Sequence, residues 1–157
     1  MADYLLVIDM QTDYLDGRKS YDCPSLIAAV NERIETYPSD RVIYVVNRFF
    51  WEFSQKPKQL AEGVSLVSEQ VFEKRRGSCF TNKTLKGFLQ EKGANSLEII
   101  GLDGNACVNS SIQSAIKEGY QVTVNLSAIG VNNAKAFHKT LESWKNHHVI
   151  VKEKHHR

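Results

Sequence analysis

Three short runs constrain the fold more than anything else in the chain: YLLVI at 4–8, RVIYVV at 41–46 and LEIIGL at 97–102. Each is apolar almost without interruption. A strand with one wet face alternates apolar and polar residues, so a run apolar on both faces has to be covered on both sides, as in a parallel sheet flanked by helices. YQVTVNL (120–126) and HVIVK (148–152) are β-branched and more alternating, which fits strands nearer an edge. VF at 71–72 reads as a short third strand, and the rest of 49–73 as loop with a candidate helical turn.

Helical patterns lie between these runs. Leu26, Ile27, Val30, Ile34 and Tyr37 share one face, with Pro24 suited to a first turn and Pro38 stopping the helix. Leu85, Phe88 and Leu89 form a second face, with Thr81 or Asn82 as cap and Gly93 past the end. Val108, Ile112, Ala115 and Ile116 line a third helix ending near Gly119, and Phe137, Leu141 and Trp144 a fourth. The alternation predicts an α/β fold: a three-layer αβα, Rossmann-like arrangement with a mostly parallel sheet of five or six strands and right-handed crossovers. With no internal repeat and no linker-like stretch, residues 1–157 read as a single domain.

Charge and composition narrow the function classes. A net charge of +2, with KRR at 74–76 as a short cluster, argues against a nucleic-acid footprint. No apolar stretch approaches the length of a membrane span, and MADYLLVIDM lacks the basic region and cleavage site of a signal peptide. Three cysteines at irregular spacing make no disulfide framework, so the expected compartment is a reducing, cytoplasmic one. GLDGNA lacks the glycine spacing that cradles a pyrophosphate.

In open α/β sheets ligands bind beyond the carboxyl ends of the strands. Asp9 follows the first predicted strand, Asn47 and Arg48 the second, Lys74 the short third, Cys107 the fourth and Ser127 the fifth. A carboxylate, an ammonium and a thiol therefore fall on one rim. Each has a distinct chemical use. Cys107 begins a helix, whose unpaired amides, together with Lys74, are expected to lower its pKa from the ordinary value of about 8.5. Asp9 can accept the thiol proton and later activate water. The turn before Cys107 offers backbone amides to a developing oxyanion. The bland readings stand beside these: a lone cysteine is commonly a buried filler, Asp9 a turn cap, and Lys74 a surface charge beside Arg75 and Arg76. Cys79 competes as a thiol near the same cations, but its helix is expected to bury it. Cys23 has no base in sight.

LLVIDMQTDYL (5–15), FEKRRGSCF (72–80), GLDGNACVNSSIQSAIKEGYQVTV (101–124) and AFHKTLESW (136–144) together resemble, in order, the motifs of the isochorismatase-like cysteine hydrolases. The resemblance spans nearly the whole chain. It implies an Asp–Lys–Cys triad at Asp9, Lys74 and Cys107, a cis peptide between Leu102 and Asp103, and an oxyanion site from the backbone of Asp103 and Cys107. It also implies attack of the cysteine on a small amide, loss of ammonia or an amine, and hydrolysis of the resulting thioester. Homodimers or larger assemblies are usual in the family. Gly104 stands where threonine is usual and Asn105 where an acidic residue is common. Nicotinamidases of the family bind a divalent ion through an aspartate and histidines in the first half of the chain. The first histidine here is His138, so no metal and no other cofactor is expected. The paired histidines at 147/148 and 155/156 read as surface residues. The chain is short for the family, which implies a more open site or one completed by a neighbouring subunit.

Tyr14, Phe50 and Trp51 are candidate contacts for a flat or apolar substrate, or they pack on one another. Arg48 pairs either with a substrate carboxylate or with Asp13 or Glu52. Two other functions compete with amide hydrolysis. One is hydrolysis of an isochorismate-like enol ether, which needs an acid more than a thiol. The other is a catalytically degenerate binding protein of the same fold, which Gly104 and the chain length favour slightly.

Overall fold

The computed structural model describes residues 1–15, 21–49 and 51–153. In chain order the regular elements are β1 (Tyr4–Ile8), the single turn α1 (Thr12–Leu15), α2 (Cys23–Glu35), β2 (Val42–Asn47), β3 (Val71–Lys74), α3 (Lys83–Glu91), β4 (Ser96–Leu102), α4 (Cys107–Lys117), β5 (Gln121–Asn125), β6 (Ile129–Gly130), α5 (Ala134–Asn146) and β7 (Ile150–Lys152). One seven-stranded sheet runs β3-β2-β1-β4-β5-β7, with β6 paired to β4 beyond the end of β5. Every strand pair is parallel. The sheet thus has one strand more than the largest expected number: Ile129–Gly130 is too short to show a period in sequence. No helix forms in the described part of 49–73, and the third strand runs on to Lys74.

Both faces of the sheet are covered. Along β1 the side chains alternate between two cores. Tyr4, Leu6 and Ile8 pack in one with Leu85 and Leu89 of α3, Val108, Ile112 and Ala115 of α4, and Trp144 of α5. Leu5 and Val7 pack in the other with Leu26, Val30 and Ile34 of α2. That is the physical content of an uninterrupted apolar run: β1 and β2 are buried at every position. The helix ends follow local chemistry. Asn82 caps α3 by accepting from the Leu85 amide at 3.0 Å, and Gly93 takes φ 67° past the last turn.

Away from the rim, a carboxylate is built into the central strand. Glu98 on β4, 2% exposed, accepts from Arg33 Nε at 2.8 Å and Nη2 at 2.7 Å, and from the Tyr37 hydroxyl at 2.8 Å. These bonds hold both ends of one buried carboxylate and tie α2 to the central strand.

β1 lies between β2 and β4, so the chain builds outward in both directions from it. The crevice at such a reversal opens at the carboxyl ends of β1 and β4. Gly101 makes the two ends fit: a Cβ there would lie 2.1 Å from the Ile8 carbonyl oxygen, and its φ is 117°. Among the described residues no helix is long and apolar enough to cross a membrane.

Candidate active site

Asp9 is the first residue past β1. It sits at φ 54°, a region that aspartate tolerates better than most residues but that still costs energy, and its amide is anchored on the Val45 carbonyl at 2.8 Å. Lys74, the last residue of β3, extends inward under the rim with its side chain wholly buried. Cys107 is the first residue of α4 and is half-buried. The three segments converge on the lysine nitrogen. Lys74 Nζ lies 3.2 Å from Asp9 Oδ2, 3.1 Å from Asn47 Oδ1 and 3.4 Å from Cys107 Sγ. The other carboxylate oxygen, Asp9 Oδ1, is buried without a hydrogen-bond partner among the described residues.

These contacts determine the charge states. Burial pushes the Asp9 carboxyl upward, opposed by the Lys74 charge and by hydrogen bonds from Cys107 and Lys74. Burial also pushes the Cys107 thiol up to about 11; the adjacent Asp9 charge adds to the rise and Lys74 opposes it. This corrects the sequence expectation of an ionised sulfur. The helix start and the ammonium are present, but a carboxylate beside the sulfur and its burial outweigh them. An ammonium, a carboxylate and a neutral thiol sum to zero charge, whereas adding a thiolate would leave a buried excess anion. Cys79 is also settled: fully buried, with its thiol pushed up to about 12 by burial, it is a core residue.

The turn from β4 into α4 is braced at several points. The Leu102–Asp103 peptide is cis. The Ala106 and Val108 amides donate to the Asp103 carbonyl at 3.0 and 3.1 Å, and the Gly104 amide to the Gly130 carbonyl at 2.9 Å. Asp103 Oδ1 accepts from the Asn105 amide at 2.7 Å and Oδ2 from the Asn132 amide at 2.9 Å. Asn105, in the place where the resemblance leads one to expect an acid, donates to the Asn133 carbonyl at 3.0 Å and accepts from Thr140 at 2.7 Å. Among the described residues no acceptor is satisfied by the amides of Asp103 or Cys107. Gly104 has no room for a side chain: a Cβ would lie 2.8 Å from Phe137 Cε1 and 2.9 Å from Val131 Cγ2.

A cleft of about 370 Å³ opens above the sulfur, lined among others by Asp9, Tyr14, Tyr21, Leu102, Asp103 and Ala106. Of the substrate contacts expected from sequence, Tyr14 lines it; burial, then the nearby Asp9 charge, push its phenol above the ordinary value. Tyr21, which sequence reasoning passed over, donates to the Tyr14 carbonyl at 2.8 Å and forms another part of the wall.

Arg48 does not reach the cleft. Side chains of successive residues leave a strand on opposite sides, so with Asn47 turned to Lys74, Arg48 turns away. Its Nε lies 2.8 Å from Glu73 Oε1 and its Nη1 2.6 Å from the Ser54 carbonyl. Neither Asp13 nor Glu52 is its partner; both pair with Lys58. Trp51 is likewise outside the cleft, 58% exposed and stacked on Phe49 with ring centroids 4.5 Å apart. Phe49 in turn meets Tyr14 edge-on at 5.8 Å. Phe50 and the histidines at 155 and 156 lie outside the described residues. Among the described residues no cluster of three or more histidine, cysteine, aspartate or glutamate side chains is arranged to hold a metal ion.

Residues 3–151 match the family model described as the isochorismatase domain, and the chain belongs to the isochorismatase family. It is 28% identical over 131 residues to an uncharacterized isochorismatase family protein, YddQ, of Bacillus subtilis (strain 168), covering 76% of this chain and 73% of that one. Its fold is similar to that of the nicotinamidase SaPncA from Staphylococcus aureus, with a TM-score of 0.79 at 22% identity, covering 97% of this chain and 98% of that one. It is similar too to N-carbamoylsarcosine amidase from Thermoplasma acidophilum, with a TM-score of 0.78 at 20% identity over 98% of this chain and 96% of that one.

Proposed function

We propose that this family member is a cofactor-independent cysteine hydrolase that cleaves the C–N bond of a small, neutral amide. The observation that carries the reading is the position of one buried ammonium 3.2 Å from the Asp9 carboxylate and 3.4 Å from the Cys107 sulfur, two groups that themselves line a cleft.

Because the thiol is neutral at rest, deprotonation accompanies attack. The proton passes from Sγ to the Asp9 carboxylate, whose Oδ1 has no competing partner, and sulfur adds to the substrate carbonyl carbon. With the proton on Asp9 and the sulfur bonded to carbon, the charge of the Lys74 ammonium is balanced by the negative charge that develops on the carbonyl oxygen. Lys74 stands beside both Asp9 and the sulfur. The carbonyl oxygen becomes an oxyanion facing the unpaired amides of Asp103 and Cys107. Collapse of this adduct breaks the C–N bond, and protonated Asp9 returns its proton to the departing nitrogen. A water molecule deprotonated by Asp9 then cleaves the thioester, releasing a carboxylic acid and restoring the thiol. Substrate and water are thus converted to acid and ammonia or an amine.

The walls support a neutral substrate with an apolar portion. Leu102, Ala106 and the ring of Tyr21 line the cleft, the Asp103 carboxylate oxygens are bound to backbone amides, and Arg48 is engaged elsewhere. Gly104 lends no support to a degenerate binding protein, since its place is filled by Phe137 and Val131 rather than left open. The test is ammonia release from a panel of small primary amides and ureides by the wild type and by Cys107→Ala. We expect turnover by the wild type and a loss of roughly 10³-fold or more in the variant. Equal turnover by both would reject the mechanism.

A further inference from the structure

We propose that Asn47 is a positioning residue that aims the Lys74 ammonium at Cys107. The inference rests on the reading of Cys107 as nucleophile and goes beyond it, since neither the motifs nor the chemistry of amide cleavage calls for a carboxamide at this place.

An ammonium has three N–H donors and no acceptor. Lys74, with no exposed side-chain surface, has three acceptors: Asp9 Oδ2, Cys107 Sγ and Asn47 Oδ1. With one donor held by Asn47, the other two can only point at the carboxylate and the sulfur. Asn47 is itself held from three sides. Gln11, wholly buried, grips both of its backbone groups: Gln11 Nε2 donates to the Asn47 carbonyl at 2.9 Å, and the Asn47 amide donates to Gln11 Oε1 at 2.7 Å. The carboxamide cannot turn over without placing its N–H₂ against an ammonium, and in the observed orientation Nδ2 donates to the Tyr14 hydroxyl at 3.3 Å. Tyr14, used there as an acceptor, keeps its own proton for another partner at the cleft wall. One neutral side chain therefore orients the cation behind the sulfur and a hydroxyl beside the substrate. Neutrality matters: a carboxylate at this position would compete with the sulfur for the ammonium.

Without an oxygen at position 47, one buried N–H of Lys74 has no partner. The ammonium is then free to swing toward Asp9 and away from the sulfur, and the thiolate loses support. The fitting comparison is Asn47→Val against Asn47→Thr, two side chains of the same shape that differ in one acceptor oxygen. The assay is alkylation of Cys107 by iodoacetamide between pH 7 and 9, located by peptide mapping in a Cys23→Ser background. We expect Asn47→Val to react about tenfold more slowly than wild type at each pH, equivalent to about one unit in the thiol pKa. Asn47→Thr should recover to within about threefold.

Loosening of the fold would instead expose the sulfur and speed the reaction. A Val variant within twofold of wild type, faster than it, or indistinguishable from the Thr variant overturns the proposal. Should the Val variant fail to fold, Asn47→Asp carries the test: the added carboxylate should slow alkylation at least tenfold, and a wild-type rate would overturn the inference. Alkylation requires no substrate, so an amide panel without turnover would refute the proposed activity while leaving this outcome readable.

Discussion

Replacing Gly104 with threonine, the residue that the family resemblance leads one to expect there, should destabilise this chain. Gly104 has no left-handed backbone angle, so the cost is steric. A Cβ would meet Phe137 Cε1 at 2.8 Å, Val131 Cγ2 at 2.9 Å and Ile129 Cγ2 at 3.0 Å, from α5 and the β6 segment at once. All three atoms are side-chain ends, so the neighbours can give way, and overpacking of this kind costs about 1–3 kcal/mol. For a domain of this size each kcal/mol lowers Tm by about 2–4 °C, which places the expected fall at about 2–12 °C. The Gly104 amide is bonded to Gly130, so the push is transmitted to the turn that carries Asp103 and Cys107. Phe137→Leu removes the nearest atom. Combined with Gly104→Thr it should recover about 1 kcal/mol beyond additivity, as measured by a double-mutant cycle in thermal or denaturant unfolding. A Gly104→Thr protein that melts with or above wild type, or a cycle without coupling, refutes the argument that Phe137 and its neighbours take the place of the threonine.

Two further expectations concern buried charge. The Cys107 thiol is raised to about 11, so it is protonated at neutral pH and loses its proton only as pH rises. Its alkylation by a neutral reagent should climb about tenfold per pH unit from pH 7 to 9, and a rate already level at pH 7 would show that the sulfur is ionised after all. Glu98→Gln removes the charge that binds Arg33 and Tyr37 to the central strand and should cost about 3 kcal/mol in denaturant unfolding, while a change below about 0.5 kcal/mol would show that the network contributes little.

Much of the fold was legible because its signals are local. β1 and β2 read as doubly covered strands because every residue in them is apolar or can be buried, and a parallel sheet leaves few alternatives. The ends of α3 and α4 were marked by Asn82, Gly93 and Gly119, whose effect on the backbone needs no distant partner. β6 was not legible, because two residues carry no period and are held in the sheet only by pairing with Gly101 and Leu102.

The site divides along the same line. The sequence by itself placed Asp9, Lys74 and Cys107 just beyond or at strand ends, and the parallel sheet brings such ends to one rim. It could not determine which way a side chain at a strand end turns, how deeply it is buried, or which charges face it. Those properties depend on groups 27 to 65 residues apart in the chain. Only the tertiary structure turned Arg48 toward Glu73 and Asn47 toward Lys74, although the two residues are adjacent. Only it made the thiol neutral, because desolvation and a neighbouring carboxylate act through space and leave no mark on the residues next to Cys107 in the chain.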